Sequence, residues 1–105
     1  MKYIYGLQKS GLSLVTYLNS INEEYLCWDD DEATREKLIK TNFKNNLINP
    51  NHLDVKLVDE AFITPGISLQ DKKIDILKKN NSCYWYKRKI HNYKINWRYS
   101  KVMQN

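Results

Sequence analysis

The pattern that most restricts the fold of this chain lies in its first 31 residues, as a strand, a glycine turn, a helix and a second strand that ends in acids. Lys2–Gly6 is a short β-rich run, and a helix is expected from about Ser10. Glu24–Asp29 is short and mostly apolar, as a buried parallel strand should be. The helix has one apolar face, formed at spacings of three by Leu12, Val15, Leu18 and Ile21. This order predicts the opening β-α-β unit of a nucleotide-binding fold.

Strands and helices continue to alternate along the rest of the chain. Asp31 is expected to cap a helix over residues 32–41, and residues 60–64 form a strand pattern that Pro65-Gly66 ends. The alternation predicts the α/β class, with a Rossmann-like parallel sheet in a single small domain. The other expected segments are a loop over residues 42–52, a strand or half-strand over 53–58, a helix capped by Ser68 that continues to Lys79, and an edge strand over 82–86.

The charge of the chain is distributed unevenly. The net charge is +5, yet residues 1–80 contain 11 basic and 12 acidic residues, whereas residues 81–105 contain six basic residues and no acid. The second segment also contains six of the 13 aromatic residues. We therefore predict a Rossmann-like domain over residues 1–80 and a divergent basic and aromatic C-terminal tail over residues 81–105.

Composition also limits the cellular setting. The chain is 42% hydrophobic and 28% charged, and it has no apolar run near the roughly 20 residues that a membrane helix needs. No secretory signal pattern is present, and Cys27 and Cys83 lie outside any C-x-x-C arrangement. We expect a cytoplasmic protein with reduced thiols, no membrane partner, and Cys27 buried as a small hydrophobic residue.

The glycine turn nearly matches two known phosphate-binding motifs. Gly6, Gly11 and Ser13 fit the ATP loop G-x-x-x-x-G-K-[ST], but Leu12 occupies the lysine position. In the dinucleotide fingerprint G-x-G-x-x-G, Gln8 occupies the position of the middle glycine. Neither ATP hydrolysis nor NAD binding is therefore expected.

Two interpretations of this turn remain open. Asp29 follows Gly6 by 23 residues, close to the spacing at which an acid at the end of the second strand meets a ribose or base. Strand, turn, helix and acid together favour a ligand site. In the alternative, the glycines only allow tight packing of helix on strand and the acids only cap a helix.

Three motifs in sequence order resemble a known family. They are Gly6-x-x-x-Ser10-Gly11-x-Ser13, the acids Asp29-Asp30 at the end of a strand, and the turn Ile63-Thr64-Pro65-Gly66-Ile67. Together they resemble the N-terminal domain of the bacterial Mur ligases, and most of all the branch that adds D-glutamate. The resemblance covers about residues 1–80.

The resemblance implies a binding site for the UDP part of UDP-N-acetylmuramoyl-L-alanine. In the turn, Lys9, Ser10 and Gly11 would lie near the uracil or diphosphate. At the end of the second strand, Asp29 and Asp30 would face the uridine. The opposite wall of the site would consist of Thr64, Pro65, Gly66 and Ile67. No catalytic residue and no metal ligand is implied in this segment.

The resemblance also implies what the 105 residues do not include. Intact ligases of this family bind ATP and magnesium in further domains, so no cofactor and no ligation are expected from this chain alone. We interpret it as a truncated remnant of a D-glutamate-adding ligase in peptidoglycan synthesis. The change of composition after residue 80 suggests a frame-shifted tail, a hypothesis that the other reading frames of the gene after codon 80 would test.

An alternative from another class depends on the tail. Basic residues interleaved with aromatic ones are typical of nucleic-acid binding, through phosphate contacts and base stacking. Residues 84–89 and 93–101 have this composition. The alternative is a small non-enzymatic protein that binds RNA or DNA with its tail. His52 and His91 lie apart, without metal-ligand spacing to cysteines or acids.

Overall fold

The computed structural model describes residues 1–41, 46–64, 75, 77, 82–91 and 94–101. These residues form a five-stranded sheet in the order β2-β1-β3-β4-β5. Its strands are β1 (Lys2–Tyr5), β2 (Tyr25–Trp28), β3 (Glu60–Ile63), β4 (Ser82–His91) and β5 (Lys94–Lys101). The first four strands are parallel to one another, and β5 is antiparallel to β4. With helices α1 (Lys9–Ser20) and α2 (Glu32–Ile39), the sheet confirms an α/β, Rossmann-like fold.

The two faces of the sheet carry separate apolar clusters. On one face, Ile4 and Cys27 pack with Val15 and Leu18 of α1, and Leu38 of α2 joins them. The opposite face carries a second cluster, formed by Tyr3, Tyr5, Val58, Ala61, Ile63 and Leu77. Because side chains alternate along a strand, a strand buried on both faces carries consecutive apolar residues, as residues 3–5 of β1 and 61–63 of β3 do.

Most of the predicted elements are confirmed to within one or two residues. Asp31 caps α2, because its Oδ2 accepts hydrogen bonds from the Thr34 amide at 3.1 Å and from the Thr34 hydroxyl at 2.6 Å. These two donors hold the pKa of the Asp31 carboxyl below its ordinary value. The helix predicted after Ser68 lies outside the described residues, except at positions 75 and 77, which are helical.

The strand predicted over residues 53–58 is wrong. This segment contains a 3₁₀ turn, Val55–Leu57, whose start is capped by the Asp54 carboxylate. It crosses the beginning of β1, where the Met1 amino group donates to the Leu57 carbonyl at 2.9 Å. The alternating pattern arises because Val58 is buried in the core while Lys56 stays exposed.

Two further segments differ from their predicted form. The loop predicted over residues 42–52 contains a 3₁₀ turn, Pro50–His52, and Leu47 forms an isolated bridge to Cys27 beside β2. The strand predicted over residues 82–86 is present but extends to His91, and it is not an edge strand because β5 pairs with it. None of the helices within the described residues has the length and apolar character needed to cross a membrane.

Gly6 and Gly11 bring the start of α1 against the turn after β1. Gly6 has a φ of 106°, which side-chain-bearing residues rarely adopt. A Cβ atom at Gly11 would lie 1.8 Å from the Gly6 carbonyl oxygen and 3.3 Å from Thr64 Cγ2. The first distance is far below van der Waals contact, and the obstructing atom belongs to the backbone. Tight packing of helix on turn therefore requires glycine at position 11.

We predict that Gly11→Ala lowers the free energy of unfolding by at least about 2 kcal/mol, because the added methyl group displaces α1 from the turn. Urea denaturation followed by circular dichroism measures this change. The matched control is Ser13→Ala in the same helix, at an exposed position. Its expected effect is within about 0.5 kcal/mol. Equal effects of the two substitutions would contradict the contact with Gly6.

Cys27 is the buried thiol that the sequence predicts. It is fully buried and free, and burial raises the pKa of its thiol to about 12. Since only the thiolate reacts with disulfide reagents, we expect native Cys27 to react at pH 8 at least about a thousandfold more slowly than in urea. A Cys83→Ser variant isolates this thiol, and absorbance of the released reagent measures the rate. A native rate equal to the unfolded rate would contradict the burial.

Candidate functional site

The side of the sheet to which successive strands are added reverses between β1 and β3. β2 lies on one side of β1 and is reached through α1. β3 lies on the other side of β1, and β4 follows on the far side of β3. The turns after β1 and β3 are joined by Thr64, whose amide and hydroxyl donate to the Tyr5 carbonyl at 3.0 and 3.2 Å. In doubly wound sheets, ligands bind outside the carboxyl ends of the strands at such a reversal. The candidate site is therefore the edge formed by these two turns.

The N-terminus of α1 faces this edge with the backbone amides of its first turn. Gln8 precedes the helix without capping it through its side chain, and the first turn contains no acidic residue. The first amides of a helix have no acceptor within the helix, and its dipole favours a negative charge there. Lys9 is exposed, and Ser10 is only 7% exposed. This group of donors suits an anion such as a phosphate.

Asp29 connects the turn after β1 to the end of β2. Its side chain is buried, Oδ2 accepts the Leu7 amide at 2.7 Å, and Oδ1 accepts the Asp31 amide at 2.8 Å. Both carboxylate oxygens are therefore engaged by backbone amides. These contacts give Asp29 a positioning role, because they fix the turn from which α1 begins. That Asp29 also faces a uridine stays a prediction.

Asp30 is held by two aromatic residues that end neighbouring strands. Its Oδ2 accepts the Tyr5 hydroxyl at 2.7 Å, and its Oδ1 accepts Trp28 Nε1 at 3.0 Å. Tyr5 and Trp28 are register partners at the last positions of β1 and β2. The Asp30 carboxylate is exposed and has a fixed orientation at the carboxyl edge. It is the better placed of the two acids to accept a ligand hydroxyl.

Arg35 lies beside Asp30 and Trp28, and these three residues form one corner of the carboxyl edge. Its Nη1 donates to the carbonyls of Asp29 and Asp30 at 2.8 and 2.9 Å. Its guanidinium carbon lies 4.5 Å from the centroid of the Trp28 ring, within the range of a cation–π interaction. A guanidinium has five N–H donors, so donors remain on Nε and Nη2. Arg35 places a cation beside the acids.

Sequence reasoning missed the residues that organise this corner. Trp28 and Tyr5 end their strands in register, and Arg35 follows the cap residue of α2 by one helical turn. The strand-end positions were a usable signal, because parallel neighbours place their last residues side by side. The contact of Arg35 with Trp28 had no such signal, since it depends on the direction in which α2 leaves β2.

The structure brings together most of the predicted site residues that it describes. Gly11 and Thr64 are adjacent, Lys9 and Ser10 begin the helix beside them, and Asp29 is bound to the turn between. The predicted wall formed by Pro65, Gly66 and Ile67 lies outside the described residues. Within the described ranges, no group of three His, Cys, Asp or Glu side chains is arranged to hold a metal ion.

Comparison with protein families, with curated proteins and with solved structures finds no significant match to this chain.

We predict that Asp29→Ala lowers the free energy of unfolding by about 2–4 kcal/mol, because it leaves the buried Leu7 amide and the Asp31 amide without acceptors. Asp29→Asn keeps one carbonyl acceptor and should fall between wild type and Asp29→Ala. Chemical denaturation measures all three proteins. Glu36→Ala, at an exposed position of α2, serves as the control. If it destabilised the fold as much as Asp29→Ala, the positioning role would be excluded.

Proposed function

We propose that this chain binds a uridine diphosphate-linked substrate of the UDP-N-acetylmuramoyl-L-alanine type at the carboxyl edge of its sheet. The observation that carries the proposal is the uncapped, acid-free N-terminus of α1, which Gly11 holds against the Gly6 turn. The three family-like motifs support the same ligand class, since two of them meet at this edge where Gly11 approaches Thr64.

The diphosphate is assigned to the start of α1. The Gln8 side chain does not cap the backbone amides there, and the Ser10 hydroxyl and the Lys9 ammonium add a further donor and a positive charge. A phosphate needs several donors that converge on one point, and a helix N-terminus provides them with a favourable dipole.

The nucleoside is assigned to the corner formed by Asp30, Trp28 and Arg35. A carboxylate with a fixed orientation accepts the hydroxyls of a ribose, as acids at the end of the second strand do in related folds. The Tyr5 and Trp28 donors hold the Asp30 carboxylate in place before a ligand arrives. Arg35 lowers the repulsion between these acids and a diphosphate because its guanidinium lies beside them.

The proposed activity is binding without catalysis. Leu12 replaces the lysine that an ATP loop uses to hold phosphates, so we assign no phosphoryl transfer to this site. Under this proposal the chain corresponds to the substrate-binding part of a UDP-N-acetylmuramoyl-L-alanine:D-glutamate ligase. The proposal includes a cytoplasmic location, for which the free, buried Cys27 thiol is a supporting observation.

Titration of the ¹⁵N-labelled protein, followed by amide chemical shifts, tests this proposal. We expect saturable shifts at Lys9, Ser10 and Gly11 with UDP and with UDP-N-acetylmuramoyl-L-alanine. Uridine should bind more weakly because it lacks the diphosphate, and ADP should bind more weakly because it lacks uracil. Shifts confined to other regions, or equal binding of UDP and ADP, would exclude the proposed uridine site.

A charge reversal at the start of α1 gives the matched variant for this titration. Lys9→Glu should weaken UDP binding about fivefold, because a charge beside a helix N-terminus contributes up to about 1 kcal/mol. Lys37→Glu makes the same change at an exposed position near the end of α2, and it should leave the affinity unchanged.

A further inference from the structure

β4 and β5 continue past the end of β3 as a two-stranded ribbon. Ile63, the last residue of β3, lies opposite Trp85, so residues 86–91 have register partners on β5 alone. These partners are residues 94–99. Because β4 is parallel to β3, the ribbon extends beyond the carboxyl ends of the parallel strands. It therefore projects from the same edge of the sheet as the candidate nucleotide site.

The register divides the ribbon into a basic face and an aromatic face. Residues directly opposite each other in an antiparallel pair share a face, and successive residues alternate between faces. The basic face consists of Lys87, Lys89 and His91 with their partners Arg98, Asn96 and Lys94. The aromatic face consists of Tyr86, Arg88 and Ile90 with their partners Tyr99, Trp97 and Ile95.

The basic face places two cations directly opposite each other. Lys87 is the register partner of Arg98, while Lys89 and Lys94 occupy other positions of the same face. Like charges directly opposite each other destabilise a strand pair, and residues 81–105 contain no acid that could offset them. A bound polyanion would remove this repulsion. The arrangement therefore favours an anionic partner on this face.

We propose that this ribbon binds single-stranded nucleic acid. The basic face neutralises successive phosphates, since alternate residues along a strand are about 6.8 Å apart and an extended single strand separates its phosphates by a comparable distance. The aromatic face lies on the other side of the ribbon, and a strand that passes around the open edge of β5 stacks its bases there, together with Arg88. An acidic protein would match the basic face but leaves the aromatic face without a role.

This inference is independent of UDP binding. It depends on the register of β4 and β5, whereas the UDP proposal depends on α1 and the turns after β1 and β3. The two proposals are tested with different variants and different ligands, so either can fail alone.

Salt dependence of oligonucleotide binding tests the basic face. With a fluorescent oligothymidylate and anisotropy as the readout, the four Lys and Arg side chains of the basic face predict a slope of about −2.8 for the logarithm of affinity against that of salt concentration. Affinity should then fall about 50-fold between 50 and 200 mM salt. Lys87→Gln combined with Lys89→Gln removes two contacts, so the slope should be about −1.4 and the loss about sevenfold.

The matched control combines Lys37→Gln with Lys56→Gln, which removes the same charge at exposed positions outside the ribbon. We expect its slope to equal that of wild type. Equal slopes for the two double variants, or no saturable binding of the oligonucleotide, would overturn the proposal. A polyglutamate peptide of equal charge that binds as tightly would overturn it in favour of an acidic protein partner.

Substitution on the aromatic face separates stacking from charge. Trp97→Ala should weaken binding about tenfold at fixed salt without changing the salt slope, because stacking on a base involves no counterion. Trp97→Phe keeps an aromatic ring and should restore most of the affinity, which distinguishes stacking from loss of the strand. Tighter binding of a duplex of the same sequence, or equal affinities of both variants and wild type, would contradict the stacking role.

Discussion

The arrangement of the carboxyl edge depends on the buried carboxylate of Asp29. One oxygen binds the Leu7 amide in the turn after β1, and the other binds the Asp31 amide before α2. A single side chain thus fixes the starting points of both described helices relative to β2. The same two hydrogen bonds satisfy the charge of the carboxylate, which would otherwise be costly to bury. The geometry of the candidate site follows from this one group.

Local sequence patterns predict the elements that depend on residues close to one another in the chain. The turn at Gly6 and the Asp31 cap depend on neighbours within one or two turns, and both are confirmed. The apolar face predicted for α1 is only half right: Val15 and Leu18 are buried, whereas Leu12 and Ile21 are exposed. Steps of three residues rotate around a helix of 3.6 residues per turn, so the ends of this series leave the buried face. The strand predicted over residues 53–58 is wrong because Leu53, Val55 and Val58 contact the core from a 3₁₀ turn and its flanks rather than from a strand. The pairing of β4 with β5 spans positions that no local pattern connects, so only the first part of β4 was anticipated.

The candidate site was only partly predictable for a related reason. An acid at the end of a second strand serves equally well as a ligand contact or as an acceptor for backbone amides. Its choice depends on where the Leu7 amide lies, which the spacing between Gly6 and Asp29 does not determine. Asp30 resembles its neighbour in sequence, yet its partners are the side chains of Tyr5 and Trp28. Adjacent acids therefore have different roles for reasons of tertiary structure.

The close approach of Gly11 to the Gly6 carbonyl excludes every side chain at position 11. Selection for a folded chain alone therefore preserves the glycine spacing. A descendant that loses its ligand keeps the signature for as long as it keeps the helix. The glycine pattern therefore indicates the packing of helix on turn. Ligand binding by such a protein has to be inferred from the hydrogen-bond donors around the glycines.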